Sequence, residues 1–381
     1  MLIAAGVLTL LIWGYLLLGR GGFWRIQPAA PPPSGEFSAR IAAVIPARNE
    51  ADVVGRTVTS LLRQTGKNSI HIFLIDDGST DGTAQTAREA AAAIGCAEML
   101  TVVEGRPLAA GWSGKMWAVQ QGIEMAANAA PDFFLLTDAD IEHAPDSLTT
   151  LVSIAHAGSN DLASFMVKLY CESPAEKLLI PAFVYFFFKL YPPALTSNPK
   201  SKTAGAAGGC ILIRPAALAQ AGGIAAIRSE VIDDCALALR VKRSGGRLWL
   251  GASATTRSTR PYGSFSEIGR MISRSAFNQL HHSALLLIAS MVGMAITYLL
   301  PPALVLFSHR PLPAVLGATA WLLMTLSYVP VLRLYRLNFL WALALPLAAV
   351  FYVGATFHSA WKYWTGRGGE WKGRVQDPAG S

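Results

Sequence analysis

Short apolar runs that stop at polar, carboxylate-bearing loops set the rhythm of the first half of this chain. Residues 41–45 break at Pro46 and lead into Ala47-Arg48-Asn49-Glu50. Residues 70–75 end at Asp76-Asp77-Gly78-Ser79, and 132–137 end at Asp138-Ala139-Asp140. Their length and their β-branched and aromatic content predict buried strands. Helix-like segments at about 52–65, 82–95 and 115–130 separate them. The alternation predicts a βαβα unit, hence an α/β fold with a mostly parallel, Rossmann-like sheet. In such a sheet the strand ends open on one crevice, where ligands collect.

A second pattern is longer and almost wholly apolar. Residues 2–18 are followed by Arg20 and Arg25. A secretory signal carries its positive charge ahead of its apolar core, so this order predicts an uncleaved anchor with Arg20 on the cytoplasmic side. Stretches near 284–307, 312–332 and 338–360 each approach the ~20 residues needed to cross a bilayer. Residues 178–190 hold Phe183, Tyr185, Phe186, Phe187 and Phe188 but are interrupted by Pro181 and Lys189. That run is too short to span. It predicts a helix lying in the headgroup region with a snorkelling lysine, the alternative being plain core.

The predicted organisation is an anchor (1–19), a linker (20–37) with a stiff proline-rich spacer at 28–35, and a cytosolic catalytic domain (38–262). An interfacial helix (263–283), transmembrane helices (284–361) and a basic tail (362–381) complete it. Three crossings after a cytosolic domain put the tail outside, although Lys362, Arg367, Lys372 and Arg374 favour the inside. A re-entrant segment broken at Pro301-Pro302 or Pro346 removes the conflict.

Composition agrees with a membrane protein: 381 residues, 52% hydrophobic, 15% charged, net charge +8. The basic residues form no long run interleaved with aromatics, which argues against nucleic acid and for anionic headgroups. Cys96, Cys171, Cys210 and Cys235 have no metal-site spacing.

The acids carry the chemistry. Two carboxylates one residue apart at a strand end suit Mg2+ or Mn2+, which take one or two carboxylates plus phosphate oxygens. Asp76-Asp77 repel one another unless a cation or ligand compensates, whereas Ser79 and Asp81 read as caps of the next helix. Lys115 opens a helix after Gly114 and is either a diphosphate contact or an ordinary exposed lysine. Asp233-Asp234 start another helix, as dipole partners or as a catalytic pair, with Glu230 in reserve. Gly205 to Gly209 form either a simple turn or a place of close substrate approach.

Taken in order, Pro46-x-Arg-Asn-Glu50, Asp76-Asp77-Gly-Ser, Asp138-Ala-Asp140 and Asp233-Asp234 resemble the motifs of the family 2 inverting glycosyltransferases. The resemblance covers roughly 38–280. Gly111-Trp-Ser-Gly-Lys115-Met-Trp-Ala118 and Trp371-Lys-Gly-Arg374 look like the hopene-associated branch of that family. The resemblance implies a GT-A fold, a nucleotide-sugar donor (a UDP-sugar), a lipid acceptor of the hopanoid class, and a multi-pass protein of the bacterial inner membrane. It assigns Asp140 as direct Mg2+ or Mn2+ ligand, Asp138 to the metal shell or ribose, Asp76 or Asp77 to uracil or ribose, and the Pro46, Arg48, Glu50 loop to the base. Asp234 becomes the base that accepts the acceptor's proton, with Asp233 replacing the usual Glu. Arg270-Met-Ile-Ser-Arg274-Ser275 stands where membrane relatives carry Gln-x-x-Arg-Trp. Only Arg274 matches, as a diphosphate contact, and this implies a single transfer rather than processive synthesis. A polyprenyl-phosphate acceptor and an inactive nucleotide-sugar-binding scaffold are the alternatives.

Overall fold

A computed structural model describes residues 1–30, 37–366, 370–371 and 374–375, and the chain divides into two compact units. The first unit comprises Pro28–Tyr170, Leu195–Arg260 and the C-terminal end. It contains strands β1 (Arg40–Ala47), β2 (Ser69–Asp76), β3 (Leu100–Glu104), β4 (Phe133–Thr137), β5 (Ile141–Glu142), β6 (Leu162–Lys168), β7 (Cys210–Ile213) and β8 (Leu248–Ser258). They form one sheet in the order β3-β2-β1-β4-β7-β6-β8-β5.

The sheet is parallel across β3, β2, β1 and β4. Beyond β4 it is mixed: β7 runs antiparallel to both β4 and β6, β8 is parallel to β6, and β5 is antiparallel to β8. Two reversals restore the original direction, so β8 points the same way as β1, β2 and β4. The ends of those four strands and the start of β7 therefore share one edge.

Both faces of the sheet are covered. Along β1, Ile41, Ala43 and Ile45 join one core while Ala42 and Val44 join the other, the period-2 alternation of a strand. This is why the strands read as continuous apolar runs. The second face receives the helix Gly114–Ala127, whose start is capped by Ser113 Oγ accepting from the Met116 amide. That helix sits close to the strands at Gly122, where a Cβ would lie 2.4 Å from Val44 Cγ1 and 3.3 Å from Ile75 Cγ1.

The second unit, Met1–Gln27, Cys171–Ala194 and Pro261–Gly369, is helical. Among the described residues four segments are long and apolar enough to cross a membrane: Pro174–Thr196, Ala284–Phe307, Pro311–Leu334 and Phe339–Trp364. The N-terminal helix Leu2–Leu18 is shorter and apolar. The expectation that 178–190 is too short to span is corrected. A capping box between Ser173 and Glu176 starts the helix at Pro174, and Pro181 is accommodated inside it. Lys189 does not snorkel. Its ammonium donates to the Tyr298 hydroxyl at 2.9 Å and lies over that ring.

The helix from Ala284 continues through a π-helical turn, Ala295–Leu299, into Leu300–Phe307. Pro301 and Pro302 leave the carbonyl of Thr297 without its in-helix donor. The indole N–H of fully buried Trp13 takes that place at 3.0 Å. Pro346 falls in the first turn of Leu345–Trp364, where a missing N–H costs nothing. Of the proline-rich spacer, Ala29 pairs with Ala252 of β8, while residues 31–36 lie outside the described set. Arg367, Lys372 and Gly373 of the tail also lie outside it.

Two helix glycines carry opposite expectations. Gly122→Ala gains about 1 kcal/mol of helix propensity but forces apart a β-branched side chain on a buried strand, an overpacking cost of about 1–3 kcal/mol. Gly55, in the helix Ala51–Leu62, meets only ordinary contacts at 3.4 Å and beyond. Thermal unfolding should therefore show a lowered midpoint for Gly122→Ala and an unchanged or raised one for Gly55→Ala.

Candidate active site

The shared edge of the sheet gathers nearly every acid singled out from the sequence. Pro46 is the penultimate residue of β1, and Arg48 follows that strand. The Arg48 guanidinium donates to the Asp77 carbonyl at 2.5 Å and lies 3.6 Å from the Asp77 carboxylate, which is 6% exposed. Asp76, ending β2, accepts from the Ser79 amide at 2.9 Å. Asp76 and Asp77 thus have different partners, which relieves their repulsion. The capping expectation is corrected: neither Ser79 nor Asp81 is the cap of the next helix, which starts at Thr83 with Gly82 in the cap position and no side-chain cap. Asp81 accepts from the Thr83 amide at the helix start, and Ser79 Oγ accepts from Asn49 N on the neighbouring loop.

Lys115 links two distant stretches. Its ammonium is 3.0 Å from Asp138 Oδ1, just beyond β4, and 3.2 Å from Asp233 Oδ2, at the start of the helix Asp233–Arg243. Burial alone would lower the lysine's pKa, but Asp138, Asp233 and Asp234 hold it well above its usual value. The pocket around it is lined by Pro46, Thr137, Asp138, Gly208, Asp233 and Asp234, with an apolar wall that includes Met116, Ile211 and Leu237.

Asp234 has a fixed orientation. Oδ2 accepts from the Gly208 amide at 2.8 Å, and Oδ1 from its neighbour Cys235 at 2.7 Å. Burial, then the adjacent Asp233, push its carboxyl up to about 6, against the opposing pull of Lys115 and of those two amides. Glu230, the reserve candidate, is exposed and lines no part of the pocket. Arg274 lies in the helical unit, at the C-terminal end of Phe265–Ser273.

Asp140 sits at the turn between β4 and β5, where β5 pairs with β8. Its carbonyl accepts from the Thr259 amide and hydroxyl at 2.8 and 3.0 Å. Oδ2 accepts from Ser258 Oγ at 3.1 Å and from Arg260 Nε at 3.2 Å, and the same guanidinium pairs with the Glu50 carboxylate. Burial first, then the Asp138 charge, raise the Asp140 pKa, while Arg260 opposes them. Arg260, Ser258 and Thr259 were not singled out from the sequence. Their local sequence gives little sign, because the end of β8 is already polar and half-buried and shows no break from an apolar run to acids like those of the other strand ends.

The donor set suits a hard divalent ion. Lys115 occupies one oxygen of Asp138, and Ser258 and Arg260 occupy one oxygen of Asp140. Asp138 Oδ2 and Asp140 Oδ1 make no hydrogen bond among the described residues. Two such oxygens fit Mg2+ or Mn2+ whose remaining ligands are phosphate oxygens and water. Among the described residues no group of three or more His, Cys, Asp or Glu could hold a metal, so the ion would depend on the ligand's phosphates.

Thr137 and His143 brace this edge. Thr137 Oγ1 donates to the Gly209 carbonyl at 2.7 Å and is 3.0 Å from His143 Nε2. Because the hydroxyl proton goes to Gly209, the imidazole must carry its own proton on Nε2. Its Nδ1 is buried without a partner, and burial lowers the His143 pKa to about 3. A histidine kept neutral in the fold stabilises it fully above its unfolded value of ~6.5, and that contribution is lost as pH falls from there towards 3. Unfolding free energy should drop by up to about 1.4 kcal/mol per pH unit in that window. Chemical denaturation of His143→Phe across the same window should show a shallower pH slope than the parent.

Residues 42–222 match the family model described as Glycosyl transferase family 2. The 4,4'-diaponeurosporenoate glycosyltransferase of Staphylococcus aureus is 29% identical over 114 residues, which cover 30% of this chain and 27% of that one. The chain thus matches only about a quarter of that curated relative's length. Among solved structures, the mannosyltransferase PcManGT from Pyrobaculum calidifontis in complex with GDP-Man and Mn2+ superimposes with a TM-score of 0.59. The superposition covers 95% of this chain and 99% of that chain, at 17% identity, and shows a shared fold. The sheet unit has the GT-A fold, and the stretch that resembles the family 2 glycosyltransferase model contains the strand ends at Arg48, Asp76-Asp77 and Asp138-Asp140.

Proposed function

We propose that this chain is a membrane-bound, inverting glycosyltransferase that moves one sugar from a nucleotide donor, a UDP-sugar, to a hydroxyl of a lipid, with a hopanoid as the favoured acceptor. One observation carries the reading. Lys115 joins Asp138, on the donor side, to Asp233 beside the raised carboxyl of Asp234, in a single pocket. The four long apolar segments and the relative named for diaponeurosporenoate support a lipid-like acceptor. The amphipathic helix Phe265–Ser273 would lie at the membrane surface, with the sheet unit on the cytoplasmic side.

In this reading Asp138 and Asp140 hold Mg2+ or Mn2+, and the Mn2+ in the PcManGT complex supports that assignment. A bound ion would offset the negative charge that develops on the departing diphosphate. Arg48, Asp76, Asp77 and the loop from Pro46 to Glu50 orient the base and ribose, and Lys115 meets the phosphates. Asp234 takes the proton from the acceptor hydroxyl as that oxygen attacks the anomeric carbon from the face opposite the leaving group. The Gly208 and Cys235 amides keep its carboxylate aimed during the transfer. A carboxyl near 6 is mostly ionised at neutral pH yet basic enough to assist.

Radiolabelled nucleotide sugars incubated with the protein and total host lipid, then separated by thin-layer chromatography, should yield one labelled lipid. Asp234→Asn should cut turnover by about 10²- to 10⁴-fold. Near-normal turnover would instead favour a polyprenyl-phosphate acceptor, which arrives already ionised. The parent's rate should fall about tenfold per pH unit below 6, as protonation removes the base. The groups facing Asp234 are Asp233 and Lys115, the latter also paired with Asp138. Lys115→Met should therefore move that limb to higher pH. No label transfer from any nucleotide sugar would leave only the inactive scaffold.

A further inference from the structure

Arg260 stands where the sequence places a metal, and the donor-site reading does not use it. Its guanidinium bridges Asp140 and Glu50, whose side chains are only 15% and 11% exposed, while its own is 37% exposed. We propose that Arg260 is a resident counter-ion: it neutralises Asp140 and Glu50 before the donor arrives, yields Asp140 to the divalent ion, and then pairs with the donor's diphosphate. This rests on the donor-site reading above.

Three features support the exchange. Two buried carboxylates drawn to one edge need a cation at all times, and a metal that depends on the donor's phosphates cannot supply it between turnovers. The backbone beneath Arg260 is fixed by the Thr259 bonds to the Asp140 carbonyl and by the pairing of Ile141 with Ser258. Only the flexible side chain has to move. A guanidinium and a divalent ion repel one another at a single carboxylate, whereas the planar fork fits two phosphate oxygens as well as it fits carboxylates. Lys115 is less suited to the exchange, being 21% exposed and tied to Asp138 and Asp233 together.

The test uses the full chain in detergent. Free Mn2+ is measured by electron paramagnetic resonance without nucleotide, and UDP and GDP binding by calorimetry in saturating Mn2+. Arg260→Met should bind Mn2+ alone about tenfold more tightly than the parent, and the nucleoside diphosphate about tenfold more weakly. Arg260→Gln, which keeps hydrogen bonding without the charge, should give the same pair of shifts if the first variant fails to fold. A parent that binds UDP or GDP with Mn2+, beside variants whose Mn2+ affinity is unchanged or weaker, overturns the counter-ion role and leaves the donor site standing. A parent with no Mn2+-dependent uptake of either nucleotide overturns both.

Discussion

Mutual repulsion among carboxylates is the constraint that organises this protein. Glu50, Asp76, Asp77, Asp138, Asp140, Asp233 and Asp234 reach one edge of the sheet from well-separated stretches of chain. Three cations make that crowding tolerable, and each bridges elements that are not adjacent in sequence. Arg48 spans the ends of β1 and β2, Lys115 spans β4 and the Asp233 helix, and Arg260 ties the end of β8 to the β4–β5 turn and to Glu50. Buried ion pairs add little net stability, since desolvation offsets most of their attraction. Here they fix which strand ends face one another.

Topology explains why such a site can form. An all-parallel sheet would bring only strand ends to this edge. The reversal at β7 brings a strand start, and with it the amide of Gly208 that holds Asp234. The further return through β6 and β8 delivers Ser258, Thr259 and Arg260. Acids from the parallel half therefore meet amides and a cation from the mixed half.

Local chemistry made the parallel half legible in the sequence. The 41–45, 70–75 and 132–137 runs correspond to β1, β2 and β4, and the intervening helices match within a few residues. Asp138, Asp233, Asp234 and Lys115 meet in one pocket. Strands β3, β5 and β8 carry little contrast because they are half-buried or very short; β6 is almost wholly buried, but its Ala163, Ser164 and Met166 lack the β-branched and aromatic content that marks a strand. Arg260 was invisible for a different reason. Its partners lie 120 and 210 residues away, and no short-range pattern encodes a contact that depends on strand order. Lys189 shows the same limit in the helical unit, where a tyrosine more than a hundred positions away draws it inward.

Paired prolines in a hydrophobic helix are usually read as a weak point. Here Pro301 and Pro302 have a constructive effect, because they expose the backbone oxygen of Thr297 in surroundings that offer no water, and the indole of Trp13 occupies it. The N-terminal helix Leu2–Leu18 therefore has a structural role within the helical unit. It completes the wiring of a helix nearly three hundred positions downstream, so two remote parts of the polypeptide must be assembled together before either is electrically complete.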